Sequence, residues 1–130
     1  IENEIDNVIF KEKWIPLQNV PYVLSRSSLN IMNYQKNFGI YGVSSGKLFQ
    51  YLASGKPICA NIKMNYCLID KNNLGIAENL DTPQKYADAI LSIASLEEIE
   101  FKAMCERVKG VAEEFSYKAL SDKLIKVLEN

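Results

Sequence analysis

The sequence predicts an α/β fold built on a parallel sheet with helices on both faces. Three observations predict it. Short apolar runs alternate with stretches of helical periodicity, the pattern of strand–helix–strand units. A glycine- and serine-rich segment, Tyr41-Gly42-Val43-Ser44-Ser45-Gly46, opens directly onto a helix pattern. That pattern stops at Gly55-Lys56-Pro57 and is followed at once by the apolar run Ile58-Cys59-Ala60-Asn61-Ile62.

Taken in order, Val8-Ile9-Phe10 is the first strand candidate. A helix is expected from Pro21 through Leu24 with Asn19 or Val20 at its cap, since proline is favoured in a first helical turn. Residues 29–34 form the second strand candidate. The central helix covers residues 45–54. Ser44 or Ser45 can cap its start, Gly55 suits the left-handed position after its end, and Pro57 prevents its continuation. Residues 58–62 and 75–78 are the third and fourth strands, with a helical turn expected within residues 64–70. The chain then turns helical. Thr82-Pro83 opens a helix with Tyr86, Ala89, Ile90 and Ile93 on one face. Ser95-Leu96-Glu97-Glu98 has the spacing of a capping box ahead of a stripe of Ile99, Met104, Val108 and Val111. Ser116 caps a last helix striped by Leu120, Leu124, Ile125 and Leu128. Such stripes are expected to face a core.

With 130 residues the chain is one domain, residues 1–130, or part of one, and its 48% apolar content is ample for a core. A net charge of −1 and a pI near 5.5 argue against general nucleic-acid binding. No apolar run approaches the ~20 residues of a membrane span. Cys59, Cys67 and Cys105 have no metal-like spacing and read as buried free thiols of a reducing compartment. The absence of histidine removes Ser-His-Asp and Cys-His mechanisms and most zinc catalysis. No metal and no cofactor is expected.

A loop that opens onto a helix N-terminus presents unpaired N–H groups and the positive end of the helix dipole, which suits a phosphate or diphosphate. The segment 41–57 resembles the donor-binding motif of retaining glycosyltransferases with two Rossmann-like domains, the GT-B fold. In the large family-4 group, a loop reading roughly E-G-F-G leads into a helix ending E-A-M-A-S-G-K-P. Gln50-Tyr51-Leu52-Ala53-Ser54-Gly55-Lys56-Pro57 lines up with that helix end. The match is closer to the bacterial surface-polysaccharide branch, with its G-[IV]-S-P-N-K-L-F-[ED]-Y-M-A-A-G-K-P. Asn7-Val8-Ile9-Phe10, Val20-Pro21 and Glu114-Phe115-Ser116-Tyr117 also resemble family segments, so the likeness covers nearly all of the chain.

The resemblance implies a C-terminal nucleotide-sugar-binding domain whose N-terminal acceptor domain and first βα units lie upstream. The 130 residues by themselves are then expected to transfer no sugar. It implies transfer from a nucleotide-diphosphate sugar, with UDP-sugars favoured, to a glycan or lipid-linked acceptor in capsule or lipopolysaccharide synthesis. The expected setting is the bacterial cytoplasm, including the inner face of the membrane. It further implies donor binding by Gly42, Val43, Ser44, Ser45, Gly46, Lys47 and Gln50. The family's ribose-binding acid falls at Gln50, which is neutral, and its first acid at Gly42, which has no side chain. Lys47 lies one turn before Gln50, so the two share about one face. Trp14 and Ile15, in the loop after the first strand, are expected to border the nucleobase, with packing under the next helix as the alternative for Trp14. The Arg and Lys that neutralise the leaving diphosphate belong upstream, and no catalytic residue is assigned here. Two other readings stand beside this one: an enzyme like the UDP-N-acetylglucosamine 2-epimerases, which share the fold, and a non-catalytic α/β interaction module.

Overall fold

A computed structural model of the chain describes residues 7–9, 13–35, 46–64 and 67–129. Its centre is a three-stranded sheet, β1 (Asn30–Met32), β2 (Ile58–Ala60) and β3 (Gly75–Ala77), in that spatial order. Both pairings are parallel. Asn30, Ile31 and Met32 lie opposite Ile58, Cys59 and Ala60, which in turn lie opposite Gly75, Ile76 and Ala77.

Alternation along each strand sends side chains to opposite faces. Met32, Ile58, Ala60 and Ala77 face one way, into a core closed by Leu52, Ile69, Leu74, Val108 and Val111. These closing residues come from α2 (Gly46–Ser54), α3 (Leu68–Lys71), the segment before β3 and α5 (Glu98–Glu114). Cys59 faces the other way, against Leu80 and Ala89, with Ile76, Tyr86 and Ile90 around it. Ala89 and its neighbours belong to α4 (Pro83–Ala94). Helices therefore cover both faces of the parallel sheet, as the sequence predicts. Fully burying a side chain such as Leu52 contributes about 1.5–3 kcal/mol.

The joint between α2 and β2 is specified residue by residue. Gly55 has φ +66°, the left-handed conformation in which an L side chain is strained, and its N–H donates to the Leu52 carbonyl at 3.0 Å. Pro57 cannot continue the helix. It is buried, and its carbonyl accepts from the Asn30 N–H at 2.9 Å, which starts the ladder to β1. Asn30 is a buried polar residue in this core. Its Nδ2 donates to Ser54 Oγ at 2.8 Å and its Oδ1 accepts from Ser27 Oγ at 2.9 Å. Ser54 Oγ donates in turn to the Tyr51 carbonyl at 2.7 Å. The end of α2 is thus tied to the start of β1 through a satisfied polar chain.

Thr82 caps α4, its Oγ1 accepting from the Lys85 N–H at 3.2 Å, and Ser116 caps α6 (Tyr117–Leu128) by accepting from Ala119 N–H at 3.2 Å. Short α1 (Val20–Ser25) has Asn19 at its cap and Pro21 in its first turn, and packs on α2. No helix among the described residues is long and apolar enough to cross a membrane.

Four expectations need correction. Val8 and Ile9 lie outside any strand and are exposed, while Phe10 is outside the described residues. A short apolar run does not itself supply the hydrogen-bonded neighbour that a strand requires. The capping box does not form: Ser95 ends α4 with its N–H on the Leu91 carbonyl, and Glu97 precedes α5 without a side-chain cap bond. Ile99 is 82% exposed, because the buried face of α5 runs through Cys105, Val108 and Val111 and is shared by Met104, Ala112 and Phe115. No residue of α6 is buried. Leu120, Leu124, Ile125 and Leu128 are exposed, and Lys123 reaches back to the Glu114 carbonyl and over the Phe115 ring. Of the thiols, Cys59 and Cys105 are buried and Cys67 half-buried.

Gly75 gives the sharpest test of this packing. Its φ is +145°, and a Cβ there would stand 2.0 Å from the Ile58 carbonyl oxygen. Backbone cannot move aside as a flexible side chain can. Gly75→Ala should destabilise the domain by about 3 kcal/mol or more in urea unfolding. A loss under about 1 kcal/mol would mean that β3 does not pair with β2 in this register.

Candidate functional site

In parallel α/β sheets, ligands gather beyond the carboxyl ends of the strands. The direction of α2 relative to β1 settles which of its ends lies there. Ser54, at the end of α2, bonds Asn30 at the start of β1, and Tyr51 Oη donates to the Ile31 carbonyl at 3.2 Å. α2 therefore runs antiparallel to β1, and its first turn, Gly46-Lys47-Leu48, lies toward the carboxyl end of the strand. Leu48 and Tyr34 pack against the same core cluster, which fits that placement. Asn61 extends the β1–β2 ladder with its side chain: Oδ1 accepts from the Tyr34 N–H at 2.8 Å and Nδ2 donates to the Tyr34 carbonyl at 2.9 Å. The chain leaves the sheet from this fixed point.

Of the residues expected to bind a donor, Gly42, Val43, Ser44 and Ser45 lie outside the described residues, as does the expected Ser44 or Ser45 cap. Gly46 and Lys47 are exposed in the first turn of α2, which carries no acidic side chain. Gln50 is exposed one turn on, and it lines a groove of about 320 Å³ between α1 and α2. Leu17, Val20, Pro21, Leu24, Ala53 and Ser54 complete that groove. Trp14 is 94% exposed, so it does not pack under the next helix, and Ile15 is 38% exposed. Both lead into the helical turn Leu17–Asn19, whose Leu17 is on the groove wall. The structure thus brings Leu17 and Gln50 to one concave surface, whose lining side chains are apolar except for the Gln50 amide and the Ser54 hydroxyl, while Trp14 and Ile15 lie outside that lining. An anion can be held at the α2 N-terminus by main-chain N–H groups and Lys47, and an amide at Gln50 can both accept and donate.

Sequence reasoning missed a second concavity. It lies on the α4 side of the same sheet edge, holds about 420 Å³, and is lined in part by Ile31, Asn33, Asn61, Asp81, Thr82 and Tyr86. Asn33 and Asn61 each follow directly on a strand, which is the signal that could have pointed to them. Asp81 Oδ1 accepts from Lys85 Nζ at 2.8 Å. Tyr86 keeps its hydroxyl buried without a hydrogen-bond partner among the described residues. Burial pushes the phenol up to about 12, with Cys59 and Tyr51 nearby adding to the rise. Burial likewise raises the Tyr51 phenol and the Cys59 thiol, the latter helped by Glu78. Among the described residues no group of His, Cys, Asp and Glu side chains could hold a metal ion. Comparison with protein families, curated proteins and solved structures found no match for the chain.

The unpartnered hydroxyl predicts an unusual response. A buried polar group without a partner costs about 1–3 kcal/mol, so Tyr86→Phe should leave the domain at least as stable at neutral pH. The folded pKa of about 12 lies above the ordinary 10.0. The folded state therefore holds this proton more tightly, and its contribution is full below pH 10 and lost as pH rises from 10 to about 12. Unfolding midpoints of Tyr86→Phe should fall less steeply across that window than those of the parent chain. A neutral-pH loss above about 1 kcal/mol would show instead that the hydroxyl is satisfied.

Proposed function

We propose that this chain is the donor-binding part of a retaining glycosyltransferase of bacterial surface-polysaccharide synthesis, working in the cytoplasm or at the inner face of the membrane. The observation that carries the reading is the groove shared by Gln50 and Leu17. It joins the helix bearing the family's A-S-G-K-P ending to Leu17, which follows two residues after Ile15.

In this reading a nucleotide-diphosphate sugar, UDP-linked by preference, lies across the start of α2. Main-chain N–H groups of residues 42–46 and the Lys47 ammonium hold the diphosphate. The Gln50 side-chain oxygen accepts from a ribose hydroxyl, and its NH₂ donates to the other. The base rests beside Ile15, with Trp14 at its border. The transferred sugar passes to a glycan or lipid-linked acceptor held by a further domain. Holding the leaving diphosphate lowers the barrier by stabilising charge that grows as the sugar–phosphate bond breaks. The chain's own share of that work is positioning and part of the neutralising charge, since the reading takes the Arg and Lys from upstream.

Isothermal titration with UDP-glucose and related UDP-sugars tests this. A hydrogen bond to a charged group is worth about 1.5–3 kcal/mol, so Lys47→Ala should weaken donor binding roughly ten- to a hundredfold. Gln50→Glu supplies a carboxylate that accepts two ribose hydrogen bonds, and binding should hold or tighten. An unchanged Kd for Lys47→Ala together with lost binding for Gln50→Glu would remove the donor from this surface.

A further inference from the structure

Among the described helices of more than two turns, α6 alone buries none of its residues. Its apolar side chains are nevertheless ordered. At about 100° per residue, Tyr117, Leu120, Leu124, Val127 and Leu128 fall within one arc of about 100°. All five are exposed, Leu128 by 75%. A continuous exposed apolar stripe of this kind marks an interaction surface.

The charges of the same helix select what covers it. α6 carries Lys118, Lys123 and Lys126 against Asp122, all four exposed. The helix is therefore +2 in a chain of −1, which leaves the other residues at −3 together. Their placement is equally one-sided. Asp122 falls about opposite the centre of the apolar arc, and Glu129, just past the helix, falls on that same back side. Lys118 and Lys123 flank the arc, one on each side. Lys118 Nζ is 3.0 Å from Asp122, but both groups are exposed, and such a pair is weak in water. Lys123 Nζ meets only the Glu114 carbonyl and the Phe115 ring among its printed neighbours, and neither removes its charge.

A second copy pairing through α6 would set +2 against +2. A layer of anionic lipid headgroups instead meets both features of the helix. The acyl boundary takes the apolar arc, and the headgroups take the flanking ammonium groups while the lysine stems lie along the apolar surface. With 12 residues, α6 is about 18 Å long, too short to cross a bilayer, so it would lie in the plane of the surface. We propose that α6 docks this chain on an anionic lipid surface, with Leu124 and Leu128 inserted at the headgroup boundary. The remainder of the chain, at −3, is not drawn to such a surface, so attachment runs through α6. The inference stands on this helix alone and does not rest on the glycosyltransferase reading.

Co-sedimentation of the chain with lipid vesicles tests it. Vesicles of phosphatidylcholine and phosphatidylglycerol at roughly 7:3 should bind the chain at least about tenfold better in low salt than vesicles of phosphatidylcholine alone. Sodium chloride at about 0.5 M should remove most of that difference. Leu124→Ser combined with Leu128→Ser should weaken binding about tenfold. Lys118→Gln combined with Lys126→Gln should weaken it about tenfold on the anionic vesicles alone. This second variant leaves the apolar arc and every buried contact in place, so its loss cannot come from unfolding, and its melting midpoint should match the parent's. The proposal is overturned if the chain does not sediment with the anionic vesicles, if it binds both kinds equally, or if neither variant changes binding. It is equally overturned if the leucine variant abolishes a dimer on size exclusion while vesicle binding is unchanged, which would assign the arc to a second copy. UDP is absent from this assay, so donor binding can fail while vesicle binding succeeds, and the reverse.

Discussion

Everything in this domain is arranged around β2. Ile58, Cys59 and Ala60 have no exposed surface, pair in parallel on both edges and meet helices on both faces. A strand in that position has few alternatives. Its side chains must be small or apolar on both faces, which is why the run reads as continuous apolar sequence rather than an alternating one. Its neighbours must approach at ladder distance, which is why Gly75 faces the Ile58 backbone. The helix before it must end cleanly, which Gly55 and Pro57 ensure.

From this constraint follows the geometry of α2. The helix is held at its far end by Ser54 on Asn30 and along its length by Leu52 in the core and the Phe49–Phe115 ring contact at 5.3 Å. Its leading turn is consequently exposed at the carboxyl edge of the sheet, and its flank forms a groove with α1. The same sheet edge has a second concavity on the α4 side. The two surfaces differ in kind. One joins a cation-bearing helix start to an apolar groove, and the other sets an acid, an amide and hydroxyls over an apolar floor. A fold of this type presents such sites from its loops while a buried strand holds them in place.

Much of the frame was legible in the sequence. The three parallel strands at 30–32, 58–60 and 75–77 were visible because both faces of the sheet are covered, so apolar runs mark them. The caps at Thr82 and Ser116 and the stop at Gly55 were visible because each follows from one residue's local chemistry. What failed were inferences that depend on neighbours. Val8 and Ile9 had strand composition but no neighbour to pair with among the described residues. Ser95 had the spacing of a cap, yet its N–H was already committed to the preceding helix. The apolar stripe of α6 was real as a pattern, but a pattern does not specify a covering surface. The Tyr86 cleft escaped detection because Asn33, Asn61 and the segment from Asp81 to Tyr86 are far apart in sequence and converge only through the parallel register.

The central claim is that the start of α2 and its groove with α1 form a nucleotide site. UDP titrated into the ¹⁵N-labelled chain tests it most directly, because the amide shifts report where the ligand lies. The account predicts saturable shifts at Gly46, Lys47, Gln50 and Leu17, with Thr82 and Tyr86 unmoved. Shifts confined to the Tyr86 cleft, or none from UDP at any of these residues, would contradict it.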